Sequence, residues 1–350
     1  MNIATALNRK YVNYTIVMLT SLCINNPVHI DAYLLHCELT DKDIDFIEES
    51  LKNYDINIIP LKINRQVFSE KVPVNNMWSI ETYFRLMLTY LLPDTVNRIL
   101  YLDVDIIVNK DISELYNMVL NGSALAGAYD RNGYGTTLEQ LDSPKQREMF
   151  GKLAGSEPFY FNAGVLLYNI DWMKQNNISL NTYVNALNDW NFEMPAFDQD
   201  ILNYVFFGKV KYIDWEKYNL FTLLAFNDGA KETDAEKASI LHFSSSYKPW
   251  TTNSIHYEIE DIWWRYAKRS SIYSTIADQY ITGMTQDPFL KQYTDYLLTQ
   301  TETQKKTIDD QNNTISVLKN SLSEQNNVIL EQKEVIDQLV KINKKLVIKK

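Results

Sequence analysis

Arg98-Ile99-Leu100-Tyr101-Leu102-Asp103-Val104-Asp105 is an apolar run that stops at two carboxylates one residue apart. A run of this length reads as a buried strand. Two acids at a strand exit are costly to bury together unless a positive charge neutralises them. A divalent cation carrying phosphates does so, because hard divalent ions take oxygen ligands and often use one or two carboxylates plus substrate phosphates. Asp-x-Asp is common by chance, so its neighbours have to decide what it does.

Upstream, residues 2–6 read as a strand, 11–25 as a helix closed by Pro27, 30–35 as a second strand and 56–61 as a third. Thr40 caps a helix over 41–54, with Asp41 and Asp43 in its first turn, where acids suit the helix dipole. A further helix over 79–92 ends at Pro93 and leads into the 98–102 strand. Alternation at this spacing predicts an α/β fold with a mainly parallel sheet, and ligands bind such sheets outside the carboxyl ends of strands. Asp103 and Asp105 lie at such an end. Downstream the pattern is less regular. Residues 124–129, 160–168 and 240–243 read as strands, 197–206 as a helix, and 131–158 as a polar insertion on the acceptor side.

The chain has 350 residues, 45% apolar, which suffices for one large domain with an extension. A formal charge of -10 argues against a nucleic-acid partner. Cys23 and Cys37 have neither metal spacing nor the look of a disulfide framework, and fit a reducing compartment. Residues 11–24, after Arg9-Lys10, loosely resemble a signal segment. Asn13, Thr15, Thr20 and Ser21 break it, no small-x-small site follows, and it is too short to span a bilayer. A buried helix and a cytoplasmic protein are the expectation.

The final fifty residues differ in kind. Ile308, Ile315, Leu322, Ile329 and Ile336 recur every seventh residue. Leu318, Leu339 and Leu346 sit three residues later in their heptads, with Gln311, Gln325 and Gln332 in the equivalent places. That is the a/d pattern of a coiled coil, so a homo-oligomer through 301–350 is expected. Residues 341–350 hold five lysines and no acid. This basic end and the aromatic-rich segment 251–300 leave peripheral contact with the inner face of the membrane as a secondary expectation. The main reading of 251–300 is a helical extension of a 1–250 catalytic domain.

Three elements add chemistry to the acidic pair. Tyr83-Phe84-Arg85 places an arginine just before the Asp-x-Asp strand, in reach of phosphate or sugar hydroxyls. Phe161-Asn162-Ala163-Gly164 puts an amide and small residues at the head of a strand, permitting close ligand approach. His242 ends a strand six residues before Lys248, offering a third metal ligand and a point charge for phosphate.

With Ala4-Thr5-Ala6, Tyr11, Ser21, Asp198-Gln199-Asp200-Ile201-Leu202-Asn203 and Lys248-Pro249-Trp250, these elements occur in one order across residues 1–250. In that order the chain resembles the retaining glycosyltransferases of family 8, the group of glycogenin and bacterial lipopolysaccharide galactosyl- and glucosyltransferases. The resemblance implies a GT-A fold (a Rossmann-like mixed sheet), a UDP-hexose donor, and Mn²⁺ with Mg²⁺ as the substitute. It assigns Asp103, Asp105 and His242 to the metal, Tyr11 to stacking on uracil, and Ala6 and Asn8 to the nucleoside pocket. Val104 would meet the ribose region through its main chain. Arg85, Asn162 and Asp198 would hold the donor sugar, and Ser245 and Lys248 the diphosphate. Gln199, with Asp198 as the alternative, would lie nearest the reacting face. Two departures stand out: Asn8 replaces the usual acid, and Ser245 replaces a frequent glycine.

The function implied is transfer of galactose or glucose to a glycan, glycolipid or glycoprotein, by front-face attack without a protein nucleophile. A nucleotidyltransferase would also use paired carboxylates, but no glycine-rich triphosphate loop is present. A coiled-coil scaffold with a decayed transferase head is the non-enzymatic alternative. Intact Asp103, Asp105, His242 and Lys248 count against it.

Overall fold

The computed structural model describes residues 1–68, 72–74, 79–130, 137–153, 159–252, 256–286 and 288–347. Parts of the 131–158 insertion, the side chains of Phe289, Tyr293, Leu339 and Leu346, and those of the basic end 341–350 lie outside the described residues.

The described residues form ten strands: β1 (Asn2–Ala6), β2 (Ile30–His36), β3 (Ile56–Lys62), β4 (Arg98–Leu102), β5 (Ile106–Val108), β6 (Leu125–Tyr129), β7 (Phe161–Asn169), β8 (Val210–Ile213), β9 (Leu220–Phe221) and β10 (Ile240–His242). The main sheet has seven strands in the order β3-β2-β1-β4-β7-β6-β8. Strands β3, β2, β1 and β4 pair in parallel, as do β6 and β8, while β7 runs antiparallel to both β4 and β6. The sheet is therefore mixed, and the reversal of β7 matters. Its first residues, Phe161 to Gly164, lie at the edge where β4 ends, and Asp103 N–H bonds Gly164 C=O at 2.9 Å.

Side chains alternate along each strand, so both sheet faces must be covered. On β4, Leu100 and Leu102 enter one core with Ile16, Leu19 and Trp263, whereas Ile99 and Tyr101 enter a second core with Tyr83, Phe84 and Ile201. The stretch after Arg9-Lys10 is α1 (Val12–Asn25), with ten buried residues, so its broken apolarity belongs to a core helix. Ser21 ties α1 to β5: its Oγ donates to Met18 C=O at 2.6 Å and accepts from Val108 N–H at 3.0 Å. The helix expected after Thr40 forms as α2 (Asp41–Leu51), and Asp43 accepts the Thr40 N–H at 2.8 Å.

A second, three-stranded sheet has the order β5-β10-β9. Its antiparallel pairing sets His242 opposite Ile106, and Phe243 N–H bonds Asp105 C=O at 2.9 Å. The histidine thereby reaches the acidic pair by backbone register. The segment expected as one helix over 79–92 instead begins as a 3₁₀ helix, Ile80–Met87, and turns α-helical only at Leu88–Leu91. With three residues per turn, a 3₁₀ helix aligns positions three apart. Ser79, Thr82 and Arg85 accordingly line the same cavity.

Contacts divide the chain into Met1–Thr282 and Gly283–Lys350. Trp263 and Tyr266, on the helix Glu260–Arg269, are buried within the first unit. The second unit contains the 60-residue helix Pro288–Val347, about 90 Å long at 1.5 Å per residue. Ile308, Ile315, Leu318, Leu322, Ile329 and Ile336 are all exposed on it. Among the described residues, no helix is long and apolar enough to cross a membrane.

Asn203, on the helix Asp198–Val205, grips the start of β7. Its Oδ1 accepts from Phe161 N–H and its Nδ2 donates to Phe161 C=O, each at 2.8 Å. Asn203→Leu leaves that buried N–H without its partner. The variant is expected to unfold in urea with a stability loss of about 1–3 kcal/mol; an unchanged midpoint would mean that the clamp is not needed.

Candidate active site

A cavity of about 340 Å³ opens at the edge where β1 and β4 end and β7 begins. Ligand sites commonly run from roughly 300 to 1,000 Å³. Ala6, Asn8, Tyr11, Arg85, Asp103, Val104, Asp105, Asn162, Asp198, Gln199, His242, Ser245 and Lys248 all line it. The structure therefore brings together the thirteen residues expected to hold metal, donor or reacting face, while motif residues such as Ser21, Phe84 and Asp200 lie outside the lining.

One corner gathers Asp103, Asp105 and His242, whose ligand atoms lie within 4.8 Å of one another. His242 Nε2 is 3.3 Å from Asp105 Oδ1 and 3.9 Å from Asp103 Oδ2. Asp105 Oδ1 is buried and has no hydrogen-bond partner, because the imidazole is near but not aligned. A buried carboxylate oxygen without a donor is expensive. Burial pushes the Asp105 carboxyl up, yet the Lys248 ammonium and His242 outweigh it and hold it well below the usual range. Gly164 leaves the floor of the corner open. A Cβ there would stand 2.3 Å from His242 Cε1 and 2.9 Å from Asp103 Oδ2. Oxygen, oxygen and imidazole donors around an orphaned buried oxygen fit a divalent cation.

A second corner is built on Arg85, which is 6% exposed. Its Nη2 donates to Asp103 Oδ1 at 2.9 Å, its Nη1 bonds Ala163 C=O, and its Nε–H donates to Thr82 C=O at 3.1 Å. Nε also lies 2.9 Å from Asp198 Oδ2, an ion pair without hydrogen-bond alignment. The guanidinium carbon sits 4.4 Å from the centre of the Tyr101 ring. Burial works against the Arg85 charge, but Asp103 and Asp198 outweigh it and raise its pKa further. Burial pushes Asp198 up to about 7 despite Arg85, with Asp103 adding repulsion. Phe197, just before Asp198, has φ +56° and ψ -128°. Such backbone in a non-glycine residue is strained, and strain of this kind concentrates at functional sites.

The remaining residues are placed with particular partners. Gln199 Oε1 accepts from Ala163 N–H at 2.9 Å and Asn162 Nδ2 at 3.1 Å, while its Nε2 donates to Asp130 Oδ2 at 2.8 Å. Lys248 Nζ pairs with Asp105 Oδ2 and donates to Phe243 C=O at 2.7 Å. Asn8 Oδ1 accepts the Lys10 N–H at 3.1 Å, and Ser245 Oγ donates to Tyr247 C=O at 2.8 Å, so both side chains also serve their own loops. The Tyr11 ring meets Tyr14 edge-on at 5.9 Å, and Tyr14 stacks on Trp250 at 4.1 Å. Burial, then Asp105, push the Tyr11 hydroxyl up to about 12.

Sequence reasoning left three positions, Asp130, Asp200 and Asn219, without a role. Asp130 follows β6 as Asp103 follows β4, so the same strand-exit signal was available. Asp200 is fully buried and accepts from Gln146 Nε2, Tyr160 OH and Ala196 N–H at 2.7, 2.8 and 2.7 Å, fixing the loop before Asp198. The steric demand on Gly164 and the contact from Asn219 to His242 are visible only in three dimensions.

Gly164→Ala should weaken Mn²⁺ binding at least tenfold in calorimetry while the far-ultraviolet circular dichroism stays native; undiminished binding would move the cation elsewhere. Burial raises Asp200 to about 6 as well as Asp198. Below those values the folded chain binds more protons than the unfolded one, whose carboxylates titrate near 4. Stability from these groups therefore falls as pH rises from about 4 to 7. The urea midpoint of Asp200→Asn should fall less steeply across this window than that of the unaltered chain. Equal slopes would contradict the assignment.

The profile of glycosyl transferase family 8 matches residues 2–254. Glycosyltransferase GlyA of Streptococcus pneumoniae is 27% identical over 266 residues, covering 75% of this chain and 34% of GlyA. The lipopolysaccharide 1,2-glucosyltransferase of Escherichia coli K12 is 25% identical over 259 residues, covering 71% of this chain and 72% of that protein. The chain thus spans about a third of the first relative's length. A crystal structure of an active-site mutant of LgtC is 25% identical with a TM-score of 0.65, covering 77% of this chain and 96% of LgtC. Fold, motif order and profile agree, and the chain belongs to glycosyl transferase family 8.

Proposed function

We propose that this chain is a retaining hexosyltransferase that moves glucose or galactose from a UDP-sugar to a hydroxyl of a glycan, glycolipid or glycoprotein. The observation that carries the reading is the sharing of one cavity by three cation ligands, an aromatic ring and a buried arginine–carboxylate pair. The relative named a lipopolysaccharide glucosyltransferase supports a hexose and a cell-surface glycan acceptor. Residues 1–250 are the catalytic domain, 251–300 a helical extension, and 301–350 a coiled coil that joins copies of the chain. The reading places the protein in the cytoplasm, with peripheral contact at the inner face of the membrane.

Tyr11 stacks on uracil, with Ala6 and Asn8 beside it and the Val104 main chain at the ribose. Arg85, Asn162 and Asp198 hold the sugar. Asp103, Asp105 and His242 would hold Mn²⁺, or Mg²⁺ in its place. When bound, the cation supplies a Lewis acid for the charge on the departing diphosphate. Lys248, now on Asp105, offers its ammonium to that same charge.

In the front-face route, the bond from the sugar C1 to the phosphate oxygen breaks while the acceptor oxygen bonds C1 from the same side. The acceptor proton passes to the departing phosphate oxygen, leaving UDP and the glycoside. Asp198, beside Arg85, faces the positive charge that develops at the sugar. Gln199 Oε1 already accepts from two donors, which suits an orienting amide better than a nucleophile.

UDP release is to be measured with Mn²⁺ and a panel of UDP-sugars, with and without EDTA, using slow donor hydrolysis. One hexose donor should respond, and Asp103→Asn should lower the rate about 10³-fold, the equivalent of several kcal/mol. Silence across the panel with no donor binding in calorimetry would sink the reading. A sugar adduct trapped on Asp198 or Gln199 would replace the front-face route with a double displacement.

A further inference from the structure

We propose that Asn219 is a positioning residue that fixes His242 in the tautomer able to bind a cation and links it to Gln199. The proposal rests on the reading above only in taking Asp103, Asp105 and His242 as a cation site.

Asn219 is fully buried, between the helix Trp215–Tyr218 and β9. Its side chain touches Asn162 on one arm and His242 on the other. Which arm is oxygen follows from the backbone. Gly164 N–H can only donate, and it reaches the Asn162 side chain at 2.9 Å, so that Asn162 atom is Oδ1. A second anchor agrees. Ala163 N–H fixes Gln199 Oε1 as an acceptor, and the other Asn162 arm, 3.1 Å away, must be the donor Nδ2. The Asn219 atom 3.0 Å from Asn162 Oδ1 is then Nδ2. Its remaining arm, Oδ1, faces His242 Nδ1 at 2.8 Å and can only accept.

His242 therefore carries its proton on Nδ1, and its bare Nε2 lies 3.3 and 3.9 Å from the oxygens of two carboxylates. Without Asn219, the negative charge of Asp105 and Asp103 would draw the proton to Nε2. A proton there would consume the lone pair a cation needs. Asn219 prevents it and so holds the corner ready. An asparagine serves because one arm must accept and the other donate; aspartate can only accept, and leucine does neither. Outer partners that orient a metal-binding histidine typically change affinity 10–100-fold. The same side chain continues through Asn162 to Gln199, so cation loading and the sugar corner share one hydrogen-bonded chain.

The test starts with the full chain free of metal. Nitrogen-15 NMR at about pH 8.5, where imidazole is neutral, reads the tautomers of its four histidines. His242 should carry Nδ1–H, and in Asn219→Leu the proton should move to Nε2. Mn²⁺ affinity by electron paramagnetic resonance should fall about 10–100-fold in Asn219→Leu. Asn219→Asp, which keeps the acceptor, should retain both the Nδ1–H tautomer and Mn²⁺ binding, and it carries the test if the leucine variant does not fold. An Nε2–H tautomer in the unaltered chain, no Mn²⁺ binding by it, or undiminished binding by Asn219→Leu would each overturn the proposal. If these readouts are as expected but no UDP is released, the transfer reading fails and the role of Asn219 stands.

Discussion

The structure depends on compensating negative charge where β4 ends. Asp103, Asp105 and Asp198 converge on one cavity, and their mutual repulsion has to be offset inside a poorly solvated wall. Arg85 answers two of them at once, lying 2.9 Å from both Asp103 and Asp198. Lys248 answers Asp105. Two buried oxygens, Asp105 Oδ1 and Asp198 Oδ2, are left without a hydrogen-bond donor. The cavity walls thus carry more carboxylates than cations, and a cation-bearing diphosphate is the ligand class we propose to offset them.

The fold delivers these groups by backbone register. Reversal of β7 brings Asn162 and Gly164 to the rim, antiparallel pairing of β10 with β5 sets His242 beside Asp105, and the 3₁₀ segment turns Arg85 inward. Buried amides then hold the pieces together. Asn203 clamps β7 to the helix bearing Asp198, and Asn219, Asn162 and Gln199 connect the two corners. Strain at Phe197 remains at the entry to that helix, and the buried Asp200 restrains the loop that carries it.

Much of this was legible in the sequence. Strands β1 and β4 match the reading to the residue, and β7 is displaced by one. Long apolar runs and caps carry strong periodic signals. Strands β5 and β9, of three and two residues, are too short to show alternation. The 3₁₀ start at Ile80 was hidden because its apolar spacing also suits an α-helix, and burial of Arg85 decides between them. Asp103, Asp105, His242 and Lys248 were legible as acids, histidine and lysine at element ends, whereas Ala6, Asn8, Tyr11, Val104, Asp198, Gln199 and Ser245 came from the family resemblance. Asn219 was missed because a lone buried asparagine has no sequence signature; its role exists only through neighbours supplied by other elements.

The central claim is that Asp103, Asp105 and His242 hold a cation on which the donor diphosphate rests. Crystals grown with Mn²⁺ and UDP, measured at the manganese absorption edge, test it most directly. The account predicts one anomalous peak coordinated by these three side chains and by the diphosphate, with the Lys248 ammonium moved from Asp105 to phosphate. A peak bound elsewhere, or UDP in the cavity with Lys248 still on Asp105 and no metal, would contradict it.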